Sequence, residues 1–349
     1  MPVTVHDWQK YHLDTAMNGI DLLAAFEMVG MDADFSHYPR YTSQDLESCD
    51  RHWQEDAKVI CDDPDNTIKH HTITTPEGNL TYKTGANRIT SWVTEYLIKQ
   101  AQDIDLLEKY LPVPKFDTRQ AIKAYDDLGD KGILRGYVWG DQPGCWQHAC
   151  CLMDPQDLIM AAIDDPEWVH RFLSILLEKK LEFIEKSLAV AKYDIIETGG
   201  GAGSDTVISP ALHRQFCLPY DRKLHQALHE AGHKVVYHTC GGMMNILDLI
   251  LQNGADASET LSPPSNGGNI TNPERVRKVF SGKIAMVGGM DQFNIMGNSD
   301  QNIIRQETQR LFEGFGKDGG YICSTCDHFF DVPVENLITF SQSAKECVY

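Results

Sequence analysis

The sequence lacks any excess of positive charge. Its 31 Lys and Arg face 50 Asp and Glu, a formal net charge of −19. A nucleic-acid or anionic-membrane binder needs a basic stripe to neutralise phosphates. The cations here are scattered, which excludes both partners. No run approaches the roughly 18 apolar residues of a membrane span. The start, MPVTVHDWQKYHL, has no basic segment followed by an apolar one. These absences predict a cytoplasmic protein. Its ten cysteines (Cys49, Cys61, Cys145, Cys150, Cys151, Cys217, Cys240, Cys323, Cys326 and Cys347) are then reduced thiols, most of them small buried hydrophobes. Also missing are low-complexity tracts, short repeats, a Walker A sequence and a G-x-G-x-x-G placed after a first strand.

What is present is enough apolar residue, 42% of 349, for a large core. The first 60 residues look helical, with runs such as Gly19–Met28 and Ser43–Lys58. Ile68–Thr84 is β-leaning and carries the turn signal Thr75-Pro76-Glu77-Gly78, which predicts a hairpin. Helical signal returns at Trp92–Lys99. From about residue 130 strands and helices alternate. The predicted strands are Gly132–Trp139, Tyr193–Thr198, Lys234–His238, Asp256–Leu261, Lys283–Val287 and Gly320–Ser324. Helices are predicted in Pro155–Ala191, from Ser209 toward Ala231, and over Met244–Asn253, Pro273–Phe280, Asp300–Gly314 and Pro333–Cys347. Such alternation argues for βα units on a parallel sheet. The number of units favours a closed barrel, with an open doubly wound sheet as the alternative. We expect one α/β domain over 1–349: N-terminal helices and a hairpin over 1–125, then the main run of βα units over 126–349.

In such a barrel, functional groups stand at the C-terminal strand ends. Three segments fall there: Glu197 to Asp205, enclosing Gly199-Gly200-Gly201; His238-Thr239-Cys240-Gly241; and Cys323-Ser324-Thr325-Cys326-Asp327-His328. Thiolate and imidazole suit zinc, and a catalytic zinc keeps an open position beside three protein ligands. His-x-Cys on an extended segment puts both side chains on one face. A cysteine from another strand end would complete the set. A single cysteine on a strand is more often a buried hydrophobe than a ligand. The Cys323–Cys326 pair could also be a redox C-x-x-C, but such a motif opens a helix, and this one follows a strand. The three glycines either make a flexible turn or let a bulky cofactor approach the backbone. Asp291, after Gly288-Gly289-Met290, has the same strand-end position.

Several segments, in order, resemble the uroporphyrinogen decarboxylase superfamily over roughly residues 130–349. They are Ser209-Pro210 through Leu218-Pro219-Tyr220, His238-x-Cys240-Gly241, Gly254-Ala255-Asp256-Ala257, Val287-Gly288-Gly289-Met290-Asp291, Gly319-Gly320-Tyr321-Ile322 and Pro333-Val334-Glu335-Asn336-Leu337. The resemblance implies a (β/α)8 TIM barrel, here with an N-terminal helical and hairpin extension. Metal-free decarboxylases of the family carry an R-Q-A-G-R-type motif. The nearest segment, His37-Tyr38-Pro39-Arg40-Tyr41, departs from it badly. The chain instead resembles the corrinoid-dependent methyltransferase branch, which implies zinc bound by His238, Cys240 and Cys326. The count back from Pro333 matches Cys326 rather than Cys323, which would be structural.

Two reactions of that branch compete: methyl transfer from a methyl ether, such as a methoxylated aromatic, to cobalt(I), or from methylcobamide to a thiol such as coenzyme M. Asp327-His328-Phe329-Phe330 after the last ligand favours the first. Trp53, His70, His71, Tyr82 and Trp92 could add an aromatic wall, though aromatics are more often core. No D-x-H-x-x-G anchors a corrinoid here, so the resemblance implies a partner corrinoid protein. Glu197 is then a fourth ligand or substrate contact, and Asp205, Asp291, Asp327 and His328 are candidates for positioning substrate or handling the leaving group. Barrels of the family often associate, so a homodimer is among the implications.

Overall fold

The structure is a computed structural model, described for residues 1–38, 52–114, 116–140, 143–298 and 300–349. Seven parallel strands form one curled sheet in the order β1, β6, β7, β8, β9, β10, β11. These are β1 (Ala33–Ser36), β6 (Gly132–Tyr137), β7 (Ile195–Gly199), β8 (Lys234–His238), β9 (Ala257–Thr260), β10 (Ala285–Met290) and β11 (Tyr321–Thr325). Their near-continuous burial is that of parallel strands covered on both faces. The chain start lies against both edge strands. Thr4 N–H donates to the Cys323 carbonyl and Cys323 N–H to that of Pro2, each at 3.0 Å, while Asp32 N–H donates to the Val3 carbonyl at 2.8 Å.

The helices between strands begin where the sequence supplies stops and caps. Pro155–Asp164, Pro166–Lys186 and Pro273–Phe280 each have proline in the first turn. The side chains of Asp154, Asp165 and Asn272 accept from the free N–H groups there. The segment expected as one helix from Ser209 is broken: Pro210–Leu212, a wider-turn stretch over His213–Cys217, then Leu218–Glu230. No helix among the described residues is long and apolar enough to cross a membrane.

The N-terminal expectations need correction. Residues 1–125 do hold helices, Leu22–Val29 lying on the expected run Gly19–Met28, and the expected hairpin, but they hold more strand than expected. They supply β1 to the main sheet, and they build a second, antiparallel sheet of β2 (Gln54–Cys61), β3 (Thr67–Thr75), β4 (Gly78–Ala86) and β5 (Ser91–Glu95). The hairpin β3–β4 turns at the expected Thr75–Gly78. Residues 54–58, expected helical, pair along β3, and residues 91–95 pair along β4. The helical period was misleading because β2 is exposed along its whole length, so no buried face imposed alternation on it. The remainder of the Ser43–Lys58 expectation, 43–51, lies outside the described residues.

Side chains of neighbouring strand residues point to opposite faces. Val235 and Tyr237 of β8 join the large core under the helices, while Val236 faces the other way with Ala257 and Val287. Ile195, Ala285 and Ile322 pack on that small inner cluster. Two residues further along the same faces stand Glu197, His238 and Glu259. The sheet interior is thus apolar at one level and charged at the next, toward the C-terminal strand ends.

Candidate active site

Arg135 of β6 sits at the centre of the charged layer. It is 4% exposed. Its guanidinium meets Asp34 Oδ2 at 2.8 Å, Glu197 Oε2 at 2.8 Å and Glu259 Oε1 at 2.7 Å. Burial opposes its charge, but the three carboxylates, Asp34 foremost, keep it firmly protonated. In return, Arg135 and then His6 hold the Glu259 carboxyl well below its usual range, against the effect of burial. One oxygen of Glu259, Oε2, is buried with no hydrogen-bond partner.

His238 ends β8, with Nδ1 3.0 Å from Glu259 Oε1 and 3.8 Å from Glu197 Oε1. Burial alone would lower its pKa. The Cys240 thiol, with which the ring also hydrogen-bonds, and Glu197 instead raise it well above the usual value. His6 comes from the chain start, with its N–H bonded to Thr325 Oγ1 at 2.9 Å. Its ring lies 5.1 Å from that of His238, centroid to centroid. Donor atoms of His6, Glu197, His238 and Glu259 all lie within 4.8 Å of one another, as do those of His6, Asp327 and His328.

These groups open into a cleft of about 270 Å³ lined by His6, Asp7, Tyr38, Tyr137, Gly140, Pro143, Glu197, His238, Cys240, Asp327 and His328. Tyr38 stacks on Tyr137, ring centroids 4.4 Å apart and nearly parallel. His328 Nδ1 meets Asp327 Oδ1 at 2.8 Å. That contact raises the His328 pKa, and against burial it holds Asp327 low.

The model of one protein family, described as uroporphyrinogen decarboxylase (URO-D), matches residues 65–347. The chain belongs to the uroporphyrinogen decarboxylase family. A related protein is the methylated-thiol–coenzyme M methyltransferase of Methanosarcina mazei, 23% identical over 183 residues, 52% of this chain and 46% of that one. Another is the uroporphyrinogen decarboxylase of Aliivibrio salmonicida, 27% identical over 192 residues, 52% of this chain and 49% of that one. The matches thus span about half the length of these curated relatives. Among solved structures, a methyltransferase from Methanosarcina mazei superposes over 99% of this chain and 93% of its own, with a TM-score of 0.65 and 14% identity. That likeness is one of fold.

On this family frame the sequence-derived residues separate into groups. His238, Cys240, Glu197, Asp327 and His328 share the cleft. Cys326 does not line it. It is fully buried; its thiol packs by Ser262 and Asn266, and burial pushes its pKa up to about 12. Among the described residues, His238, Cys240 and Cys326 do not form a cluster of mutually close donors. Cys323 is buried and accepts from the Tyr321 hydroxyl at 3.4 Å.

Asp205 ties loops together, accepting from Asn269 Nδ2 at 2.6 Å and Asn245 N–H at 2.7 Å. Asp291 is buried and accepts from Ser265, Asn294 and two backbone N–H groups, which hold its pKa low despite burial. Neither lines the cleft. At Gly199, Gly200 and Gly201 the chain packs closely on itself. A Cβ on Gly199 would lie 2.4 Å from the His238 carbonyl, and one on Gly200 2.4 Å from Gln147 Cγ. One on Gly201 would lie 2.8 Å from Cys240 Sγ. Of the aromatic residues expected as a wall, Trp53, His70, His71, Tyr82 and Trp92, none lines the cleft, where Tyr38 and Tyr137 stand instead; His71 and Tyr82 stack on each other in the antiparallel sheet.

Residues missed in the sequence are His6, Asp34, Arg135, Tyr137 and Glu259. Their signals were present. Arg135 interrupts the apolar strand Ile133-Leu134-Arg135-Gly136-Tyr137, and Glu259 is the charged residue next to the end of β9. Val3-Thr4-Val5-His6 alternates and stops at a polar pair.

Proposed function

We propose that the protein is a zinc-dependent methyltransferase. It would move a methyl group from a methyl ether, a methoxylated aromatic by preference, to the cobalt(I) of a separate corrinoid protein. The observation that carries this reading is the buttressing of His238. A metal-ligating histidine commonly gives its second ring N–H to a carboxylate, which fixes tautomer and orientation. His238 Nδ1 faces Glu259 at 3.0 Å, Glu259 is in turn held by Arg135, and Nε2 is left for a metal beside Cys240. The donor chemistry fits zinc. Cys326 is the third ligand that the family pattern assigns, and its thiol would have to turn from Ser262 and Asn266 to serve.

Bound zinc would supply a Lewis acid for the substrate's heteroatom. The chain's own groups do the rest. The Tyr38–Tyr137 stack offers an aromatic substrate a flat face at the cleft wall. Asp327 keeps the His328 imidazole protonated, and His328 would give its proton to the departing phenolate oxygen. Arg135 keeps Glu259 ionised and bonds Glu197 beside it. The N-terminal segment, lying against both edge strands, supports a fully closed eight-stranded barrel around this layer.

The relative that acts on methylated thiols favours a second reading, with a thiol in place of the ether. Incubating the protein with a cobalt(I) corrinoid protein and parallel panels of methoxylated aromatics and methylated thiols separates the two. Cys240→Ala should lose zinc and turnover together. Full zinc in that variant, or decarboxylation of a tetrapyrrole by metal-free protein, would overturn the proposal.

A further inference from the structure

We infer that His6, carried by the chain start, is a ligand of the metal ion at His238. This rests on the metal-dependent reading above and adds a donor that the His-x-Cys pattern does not contain. His6 stands at the C-terminal end of the segment hydrogen-bonded between β11 and β1, the position where barrels place their working residues. Its backbone is pinned by Thr325, so the ring is delivered to the site by the sheet itself.

Three observations converge. First, the donor atoms of His6, Glu197, His238 and Glu259 lie within 4.8 Å of one another. Ligand atoms around one tetrahedral zinc, bonded at about 2.0–2.2 Å, stand roughly 3.3–3.6 Å apart, so small rotations would gather His6, His238 and Glu197 round one ion, with Glu259 kept as the carboxylate behind His238. Second, the charge is unbalanced. Asp34, Glu197 and Glu259 are buried carboxylates, and Arg135 alone opposes them with a permanent positive charge. Buried charges are paired or bind metals, and a divalent cation would offset two of the negative charges that remain, the Cys240 thiolate being a third. Third, Oε2 of Glu259, a residue 1% exposed, is buried without a partner, while its Oε1 lies 3.8 Å from His6 Nδ1. A metal sphere with His6, His238 and a carboxylate around a single thiolate is harder than a two-thiolate sphere. It suits an ether oxygen better than a sulfur.

The test is equilibrium binding of Zn2+ to purified metal-free protein, with Co2+ as an absorbing substitute for its visible bands. Wild type, His6→Ala, His6→Gln, Cys240→Ser and Cys326→Ser are compared. Both His6 variants should lose at least about tenfold in Zn2+ affinity, since even groups behind the ligands cost 10–100-fold, and their Co2+ bands should shift. Thermal melts of the metal-free forms show that each variant is folded. His6→Gln keeps the test open if the alanine variant is not. Wild-type affinity and an unchanged Co2+ spectrum in a folded His6 variant would overturn the assignment. If wild type takes up no stoichiometric metal, His6 and the metal-dependent reading fail together. If Cys240→Ser abolishes binding and the His6 variants do not, only His6 fails.

Discussion

Arg135→Met removes the one permanent cation from a layer that holds Asp34, Glu197 and Glu259. The side chain is 4% exposed, so solvent cannot replace it. Breaking a buried ion pair by deleting one partner costs about 3–5 kcal/mol, because the remaining charge is left uncompensated. Unfolding entropy of about 2.1 cal/mol/K per residue over 349 residues is about 0.7 kcal/mol/K, so the variant should melt about 4–7 °C lower at pH 8. The loss should depend on pH. In wild type the Glu259 carboxyl is depressed, so its contribution is full above the unfolded carboxylate value and fades as pH falls below it. In the variant, burial without Arg135 raises the same carboxyl. That variant is worst off at high pH and recovers as protons bind. The gap in melting temperature should therefore shrink from pH 8 to pH 5. Differential scanning calorimetry across that range is the assay. A drop below about 1 °C, or a gap that does not change with pH, would refute the account of Arg135 as the layer's counter-charge.

Three further outcomes follow from the geometry. Gly201→Ala places a methyl 2.8 Å from Cys240 Sγ, and should weaken zinc binding about tenfold while the fold persists, read by metal titration beside a thermal melt. Asp327→Asn removes the partner that raises His328, so the His328 ring should titrate at lower pH by NMR; an unmoved titration would show that the pair is not coupled. Asp221 is fully buried and pushed up to about 7. Its native form holds a proton that the unfolded chain releases, so wild-type stability should fall as pH rises through 7, and Asp221→Asn should flatten that slope in urea melts.

The C-terminal two thirds of the fold was legible because its signals are local. Lys234–His238 and Pro273–Phe280 match the expected spans, each bounded by glycine, proline or a cap. The N-terminal part was legible only at the helix Leu22–Val29 and the hairpin turn Thr75–Gly78. An exposed strand such as β2 carries no buried face for a pattern to report, and the segment before His6 pairs with Cys323, 320 residues away from Val3, as well as with Asp32. The site shows the same division. His238, Cys240, Glu197, Asp327 and His328 follow visible strand ends, and the cleft gathers them. His6, Arg135 and Glu259 needed the register of the sheet, which sets His238 opposite Glu259. For the glycines at 199–201, a sequence does not say which neighbour a missing Cβ makes way for; the fold adds Gln147 and the segment 238–240 as such neighbours.

The anchoring of His6 by Thr325 links residues 319 positions apart. During synthesis the first of these leaves the ribosome long before the second. A nascent chain therefore presents His6 with no Thr325 to hold it and no β11 beside it. The charged layer can close only after β11 has emerged and docked, so cofactor capture would be among the last events of maturation. Contacts this remote in sequence also slow folding. The protein thus assembles its chemistry late, and an unfinished chain would carry none of it.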